Sequence, residues 1–445
     1  MGRNHIAIDL GAGSGRIIVG TQDEKGISLT ETARFMNELE WRDGANCWNY
    51  NKLLENMIAG LQSTCDKLGE APESISCDSW AQDFGLLDAD GKLFQFPVSY
   101  RDPRTAGMSR RIASMISADD LRRRIGRSAA TDISTLSQLK FMAEGQRDRL
   151  DCASTLLHIA DLIHYELCGN AVSNWALASA SQLMNIKTET WDCELLDKLD
   201  IPTGFLGKIA SGEVIGQVND ARFPNALQGV PVISGTGHDT AAAFLAVDPG
   251  PDTFVLSLGT WAMLGIKIDL FEQIPEESVV MGIAPGAWAA FSGLPGMWIQ
   301  QHCIRCWEQA GIFPGYAAFD AAVEVSACRG MFDPTSPELF NPVNMPDAIR
   351  NLCAANGSEI PVSIGDFGKV ISRSLAQCYY EAAARYNRQT CNLVVVGGGL
   401  KNKPLLKDLR ELFSVQVGPC EATTLGNIKT QIAALSGNHH LARTT

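Results

Sequence analysis

The 445-residue sequence predicts an α/β protein of two similar halves, each opening with a strand–turn–strand that faces a shared cleft. Three observations lead there. Residues 6–10 (IAIDL) read as a buried strand, 11–15 (GAGSG) as a glycine-rich turn and 16–20 (RIIVG) as a returning strand. Residues 253–257 (TFVLS), 258–260 (LGT) and 261–265 (WAMLG) repeat that form, and a weak internal duplication is the economical explanation. Further on, 394–399 (VVVGGG) is a strand that empties into three glycines ahead of a helix. The turn Asp248-Pro249-Gly250-Pro251 marks the boundary, giving domains 1–243 and 244–445.

The remaining elements follow from periodicity. Leu53, Leu54, Met57, Ile58 and Leu61 recur at helical spacing within 51–68. Helical patterns also occupy 106–126, 136–146 and 155–168, with short strands near 74–78, 83–88 and 231–234. Residues 240–245 (TAAAFL) form a small-residue helix just before the boundary. The second half carries helices around 296–310, 316–328, 365–387 and 402–413, the last one after a strand at 392–396.

Composition narrows the class of partner. Apolar residues make up 45% and charged residues 20%, the balance of an ordinary folded protein. Fifty acidic against 37 basic residues give a net charge of −13, which repels a phosphate backbone and argues against nucleic acid. No apolar run approaches the roughly 20 residues that cross a bilayer, and the opening MGRNH shows no signal-peptide core. A cytoplasmic protein with no membrane partner is expected. Thirteen cysteines without framework spacing read as free thiols, and Cys303 with Cys306 as small apolar residues on a helix. The run Arg122-Arg123-Arg124 reads as a solvated helix face, and His439 with His440 as part of a polar tail.

Four clusters carry candidate chemistry. Asp9 ends a strand before a glycine loop, where a carboxylate can hold hydrated Mg²⁺ while backbone N–H groups meet a phosphate. A plain structural hairpin explains the same residues. There is no Walker lysine and no following helix, so the loop is neither a P-loop nor a dinucleotide fingerprint. Asp239, in 235–240 (GTGHDT), sits at a strand–helix junction as either a general base or a helix cap. The tip Leu258-Gly259-Thr260 and the run Gly397-Gly398-Gly399 are small enough to admit a nucleotide closely.

The order of these clusters, with further tracts, resembles the FGGY carbohydrate kinases, and within them the rhamnulokinase branch. The matching tracts are IAIDLGAGSGR at the start, RFMN at 34–37, CDSWAQDFGLLDADG at 77–91 and PVSYRDPRT at 97–105. They continue through SQLMNI at 181–186, GHDTAAAF at 237–244, SLGTW at 257–261, FNPVNM at 340–345, VVVGGG and EATTLGNI at 421–428. The resemblance implies two ribonuclease H-like domains of the actin/Hsp70/sugar-kinase superfamily flanking a central cleft. It implies ATP and Mg²⁺ as cofactors, a sugar as partner, and a monomer or homodimer. Position by position, it implies Asp239 as the base that deprotonates the sugar hydroxyl and Asp9 as the metal carboxylate. Gly11, Gly13, Ser14 and Arg16 match the first phosphate loop, Gly259 and Thr260 the second, and Gly398, Gly399 and Asn402 the adenosine side. Trp80, Asp83, Arg101, His238 and Asp239 fall where relatives line the sugar pocket.

The acceptor the resemblance points to first is the C1 hydroxyl of a deoxyketose such as L-rhamnulose. L-Fuculose, L-xylulose and D-ribulose are the alternatives, and a non-catalytic sugar or nucleotide sensor is the reading from another class. The departures fall on the sugar side. Relatives carry Trp-Gly where this chain has Trp80-Ala81-Gln82, and of their Asn-x-x-Gly-Leu-Trp pattern 278–298 keeps Gly296 and Trp298.

Overall fold

The computed structural model describes residues 2–269, 274–340, 342–388 and 390–437. His439, His440 and Asn341 of the FNPVNM tract lie outside the described residues. Two six-stranded sheets share one plan. In the first, Arg3–Leu10 pairs antiparallel with Ser14–Asp23, which pairs antiparallel with Gly26–Met36. On its other side Arg3–Leu10 runs parallel to Ser74–Ser79, and that strand runs parallel to Pro231–Ser234. In the second, Thr253–Leu258 pairs antiparallel with Trp261–Ile268, which pairs antiparallel with Ala287–Pro295. Thr253–Leu258 then runs parallel to Asn392–Val396, and this one parallel to Ser414–Val417. The repeat seen in the two hairpins therefore extends over five strands. Glu213–Gln217 and Val279–Ala284 are the additional edges.

Two helices fill the space between the sheets. Asp239–Val247 buries Ala241, Ala243 and Phe244 in a cluster with Val255, Phe291, Val394 and Val396 of the second sheet. Ala422–Leu435, late in the chain, returns to the first sheet, where Gln431 Nε2 donates to the Ile6 carbonyl at 3.0 Å. The two helices touch at Gly426, where an added Cβ would lie 1.9 Å from the Ala242 carbonyl oxygen. Only small residues permit that approach, which explains the TAAAF composition of the first helix and the glycine of the second.

Several elements differ from the sequence expectation. The helix expected over 106–126 is two, Met108–Ala113 and Ala118–Ile125. Between them Ser117 turns its hydroxyl onto the Asp120 N–H and starts a new helix. The first residues of 155–168 form the strand Thr155–His158, paired with Phe84–Leu87, before the helix Ile159–Cys168. Leu156 and Leu157 satisfy either period, and the neighbouring strand decides. Arg122 and Arg123 are exposed, but Arg124 corrects the solvated-face reading. Its side chain is 14% exposed and bonds Asp192 at 2.8 Å and Asp120 at 3.1 Å. Cys303 lies in the core of the helix Trp298–Gln309, and all thirteen cysteines are free. Among the described residues no helix is long and apolar enough to cross a membrane.

The helix contact gives a test. Gly426→Ala should cost about 3 kcal/mol, because neither backbone can retreat from the added methyl. Gly145→Ala, at an exposed helix end with nothing within 4 Å of the new Cβ, should shift stability by less than about 1 kcal/mol. Equal thermal melts for the two variants would contradict the close packing.

Candidate active site

Because the inner strands of each sheet are parallel, the loops after Arg3–Leu10, Ser74–Ser79, Pro231–Ser234, Thr253–Leu258 and Asn392–Val396 all leave from carboxyl ends. These loops carry Gly11 to Ser14, Trp80, Asp239, Gly259 with Thr260, and Gly397 to Gly399. The first loop is held by Asn37, whose Nδ2 donates to the Gly11 carbonyl at 2.6 Å and whose N–H donates to the Gly13 carbonyl. Nothing lies within 4 Å of a Cβ built on Gly13 or Gly398, so packing does not require glycine at either position. In the second loop, the Gly259 and Thr260 carbonyls accept from the N–H groups of Met297 and Trp298. That stapling brings Gly296 so close that a Cβ would sit 2.5 Å from the Thr260 oxygen. Asn402 caps the helix Lys403–Leu412 by accepting from the Leu405 N–H, and its Nδ2 donates to Gln300 Oε1 at 2.8 Å.

Three carboxylates converge on the first sheet. Asp9 and Asp78 are register partners on adjacent parallel strands. Asp9 is buried, forms a very short ion pair with Arg16, and receives a 3.4 Å bond from Thr424 Oγ1. Arg16 also pairs with Glu421 at 2.5 Å. Burial raises the Asp9 pKa above the usual carboxylate range, with the Arg16 guanidinium opposing the rise. Asp78 is fully buried, and burial pushes it up to about 7 against hydrogen bonds from Thr236 Oγ1 and Asn427 Nδ2, both 2.6 Å. The negative charges of Asp9 and Asp239 add to that rise.

Asp239 differs from both. It is the first residue of its helix, preceded by the capping residue His238, and its side chain is 36% exposed. Oδ1 accepts from the Thr240 N–H at 2.6 Å and the Thr240 hydroxyl at 3.1 Å, and lies 3.3 Å from His238 Nε2. Oδ2 makes no such bond to any described residue. His238 is buried, and burial lowers its pKa, with Asp239 pulling the other way. The imidazole is therefore neutral near pH 7, and with Nε2–H turned to Asp239 its Nδ1 is an acceptor, without a partner among the described residues. The turn before it needs Gly237, at φ 65°, whose Cβ would strike the Asn174 side chain at 2.4 Å.

Of the residues expected to line a sugar pocket, Trp80 packs against Asp83. This residue is fully buried, its Oδ2 accepting from the indole N–H of Trp48 at 2.6 Å and of Trp80 at 2.8 Å. The two indoles lie 4.5 Å apart at 49°. Gln138 Nε2 reaches Asp83 Oδ1 at 3.3 Å, and Arg104 Nη2 holds the other end of Gln138 at 2.8 Å. Gln82, between the tryptophan and the aspartate, takes φ 83°, a conformation that costs a non-glycine residue energy. Four bonds keep it there: Thr135 N–H to Oε1, Thr135 Oγ1 and Gln138 Nε2 to its carbonyl, and Nε2 to the Ala180 carbonyl. Arg101 stays at the surface, its Nε donating to the Tyr100 hydroxyl at 3.2 Å.

The backbone joins Trp80 to the strand before the first loop, Trp80 N–H to the Leu10 carbonyl, and joins Ser79 to the turn before His238, Ser79 N–H to the Gly237 carbonyl. Sequence reasoning passed over Asp78, Thr236, Asn427, Glu421, Thr424, Arg104 and Gln138. Several lie in quoted tracts, but their partners are up to 415 residues away and leave no local spacing to read. The 278–298 segment is an ordered hairpin, paired from Trp261–Pro295 to Ile268–Trp288, with Gly282 seated against Trp175.

The Asp78 environment predicts a pH dependence. An unfolded Asp78 ionises near 3.8, the folded one near 7, so the folded chain holds the extra proton between those values. Its stabilising contribution is complete below about pH 4 and is lost as pH rises through 7, on the order of 4 kcal/mol. Wild type should therefore lose stability relative to Asp78→Asn between pH 5 and pH 8. Parallel denaturation curves over that range would remove the buried-proton assignment.

Comparison with known proteins identifies the architecture. Residues 5–246 match the N-terminal domain of the FGGY family of carbohydrate kinases, and 254–435 match its C-terminal domain. The rhamnulokinase of Yersinia pestis (strain Pestoides F) is 34% identical over 97% of this chain and 90% of its own length. That of Pectobacterium atrosepticum is 32% identical over 99% and 90%. Among solved structures, gluconate kinase from Lactobacillus acidophilus superposes with a TM-score of 0.81 at 16% identity, covering 99% of this chain and 91% of that one. Xylulose kinase from the same organism gives 0.80 at 17%, with coverage of 99% and 91%. The two-domain fold of the sugar-kinase superfamily is thus the fold of this protein. This chain belongs to the FGGY family of carbohydrate kinases, and it is an ATP-dependent sugar kinase.

Proposed function

We propose that the enzyme transfers the γ-phosphoryl group of ATP to the C1 hydroxyl of a ketose, L-rhamnulose first among them, with Asp239 as general base. One observation carries the role of Asp239. Its Oδ1 is held by Thr240 and faces His238, while Oδ2 is left free and the side chain remains accessible. A carboxylate fixed by one oxygen presents the other to a substrate hydroxyl in a defined direction. The choice of L-rhamnulose rests on the rhamnulokinases that match over nearly the whole chain.

The residues present fit a hydrated Mg²⁺. Asp9 offers a hard oxygen beside the first loop, and among the described residues no group of three His, Cys, Asp or Glu is arranged to cage an ion. Asp9 would hold the cation by one side, its other ligands coming from phosphate and water. When bound, such a cation neutralises charge on the phosphates.

The chain's own groups do the rest. Arg16 and the loop residues Gly11, Gly13 and Ser14 surround the phosphate, with the Gly11 N–H closing the loop onto the Ser14 carbonyl and Gly259 and Thr260 opposite them. Gly398, Gly399 and Asn402 border the adenosine. Trp80 presents an apolar face to the sugar, and Asp83, bonded to both indoles, fixes Trp80 and Trp48 from behind rather than meeting the sugar itself. The neutral His238 offers Nδ1 as acceptor to a sugar hydroxyl, and Arg101 guards the outer edge. Asp239 Oδ2 takes the proton as the sugar oxygen attacks in line, and burial by the closing loops keeps water from competing. The rebuilt 278–298 hairpin keeps the other ketoses as acceptors to be measured.

ADP release from Mg·ATP should rise with L-rhamnulose above L-fuculose, L-xylulose and D-ribulose. Asp239→Asn should lower sugar-dependent kcat by 10²–10⁴-fold with little change in KM. Turnover that ignores both the sugar and the substitution would point instead to the sensor reading, and a preference for another ketose would replace L-rhamnulose alone.

A further inference from the structure

The strand Arg3–Leu10 puts Arg3, His5 and Asp9 on one face, at alternate positions. Asp9 is at the cleft. At the opposite end of the strand a cavity of about 620 Å³ opens between the strand starts and the C-terminal end of Ala422–Leu435. Arg3, His5, Gln22, Glu73, Gln228 and Ser436 supply its polar lining.

His5 is 2% exposed, yet its Nε2 has no partner among the described residues. A buried polar atom left this way costs about 1–3 kcal/mol, so it points to something that binds there. The hydrogen-bond network fixes what that must be. Gln431 Nε2 donates to the Ile6 carbonyl and to Asn427 Oδ1, so Gln431 Oε1 is an acceptor. The Ser74 hydroxyl spends its proton on that oxygen at 2.6 Å. Ser74 Oγ can then only accept from His5 Nδ1, 2.8 Å away, which puts the ring proton on Nδ1. Burial lowers the His5 pKa, so the ring is neutral, and His5 lines the cavity with Nε2 as its acceptor atom. An occupant that reaches Nε2 donates a hydrogen bond to it.

The rim adds charge and further hydrogen-bonding groups. Arg3 is exposed and makes no ion pair with any described residue. Gln228 commits its Nε2 to the Asp220 carbonyl and turns an amide oxygen free, and Gln22 and Glu73 add acceptors for hydroxyls. Pro72, Val230 and Leu435 provide an apolar wall for C–H groups.

We propose that this cavity is a second ligand site, which takes a small polyol bearing one anionic group. The anion pairs with Arg3, and a hydroxyl donates to His5 Nε2. A phosphorylated sugar and a hydroxy acid share that chemistry, and the two are separable by experiment.

Calorimetric titration of the full chain with glycerol 3-phosphate, D-gluconate, glycerol and L-serine tests the site without reference to turnover. Saturable 1:1 binding of at least one anionic polyol is expected, with glycerol and L-serine at least tenfold weaker. Glycerol 3-phosphate alone would identify the phosphate source, and D-gluconate alone the carboxylate source. Arg3→Ala, a surface change that leaves the fold alone, should weaken binding at least tenfold. In histidine-¹⁵N-labelled protein the His5 Nε2 resonance should move on titration and be absent from His5→Asn. Binding indifferent to Arg3→Ala would place the ligand in the cleft and overturn the proposal. So would equal binding of L-serine, or no saturable binding by either anionic polyol.

Discussion

A stripe of polar side chains on the helix Ala422–Leu435 organises the first sheet. Thr424, Asn427 and Gln431 are spaced three and four residues apart, hence on one face, and that face lies over the strands carrying Asp9 and Asp78. Each meets a group that burial would otherwise leave stranded: the Asp9 carboxylate, the Asp78 carboxylate, the Ile6 carbonyl and Ser74. Unpaired polar groups at such depth are costly, so the sheet reaches its final form only when the end of the chain has docked. The two halves resemble each other in strand order but are not independent. The second half returns an essential layer to the first.

That dependence separates the carboxylates into different roles. Asp9 is paired with Arg16, Asp78 is enclosed, and Asp239 stands at a helix start with one oxygen open. The same acid group is thereby an ion-paired anchor, a proton-holding strut and an accessible carboxylate. Sequence type alone assigns none of this. Around Trp80 the arrangement is inverted, because Asp83 is fully buried and acts on two indoles. Gln82 is held in a left-handed turn by Thr135 and Ala180, so the loop keeps its shape without a glycine there.

What could be read from the chain follows the range of the interactions. The hairpins at 6–20 and 253–265 were legible because apolar runs and a small-residue tip are local signals, and the strand into Gly397 to Gly399 was legible for the same reason. The break at Ser117 and the strand at Thr155–His158 were not, since a cap and a neighbouring strand outweigh periodicity. Arg124 looked like its two neighbours until Asp192 and Asp120 closed over it. Asp239 carried a two-fold reading, base or cap. The structure gives the capping position to His238 and leaves Asp239 Oδ2 unspent. The partners of Asp78 are the extreme case, one of them 349 residues distant, and no motif spacing encodes such a contact.

The pairing of Arg16 with both Asp9 and Glu421 ties the first glycine loop to the start of the helix Ala422–Leu435. Glu421 is more exposed than Asp9, 43% against 8% for the side chains, so water weakens its hold on the guanidinium much more. A phosphate bound as proposed would compete for Arg16 with two carboxylates of unequal strength. The outer contact yields at lower cost than the inner one, and the guanidinium can turn toward the loop while Asp9 keeps it close. Thr424, three residues after Glu421, bonds Asp9 from the same helix, so the helix retains its place on the sheet when the outer pair opens. The clasp can therefore yield at its exposed end without disturbing the buried stripe that holds the sheet.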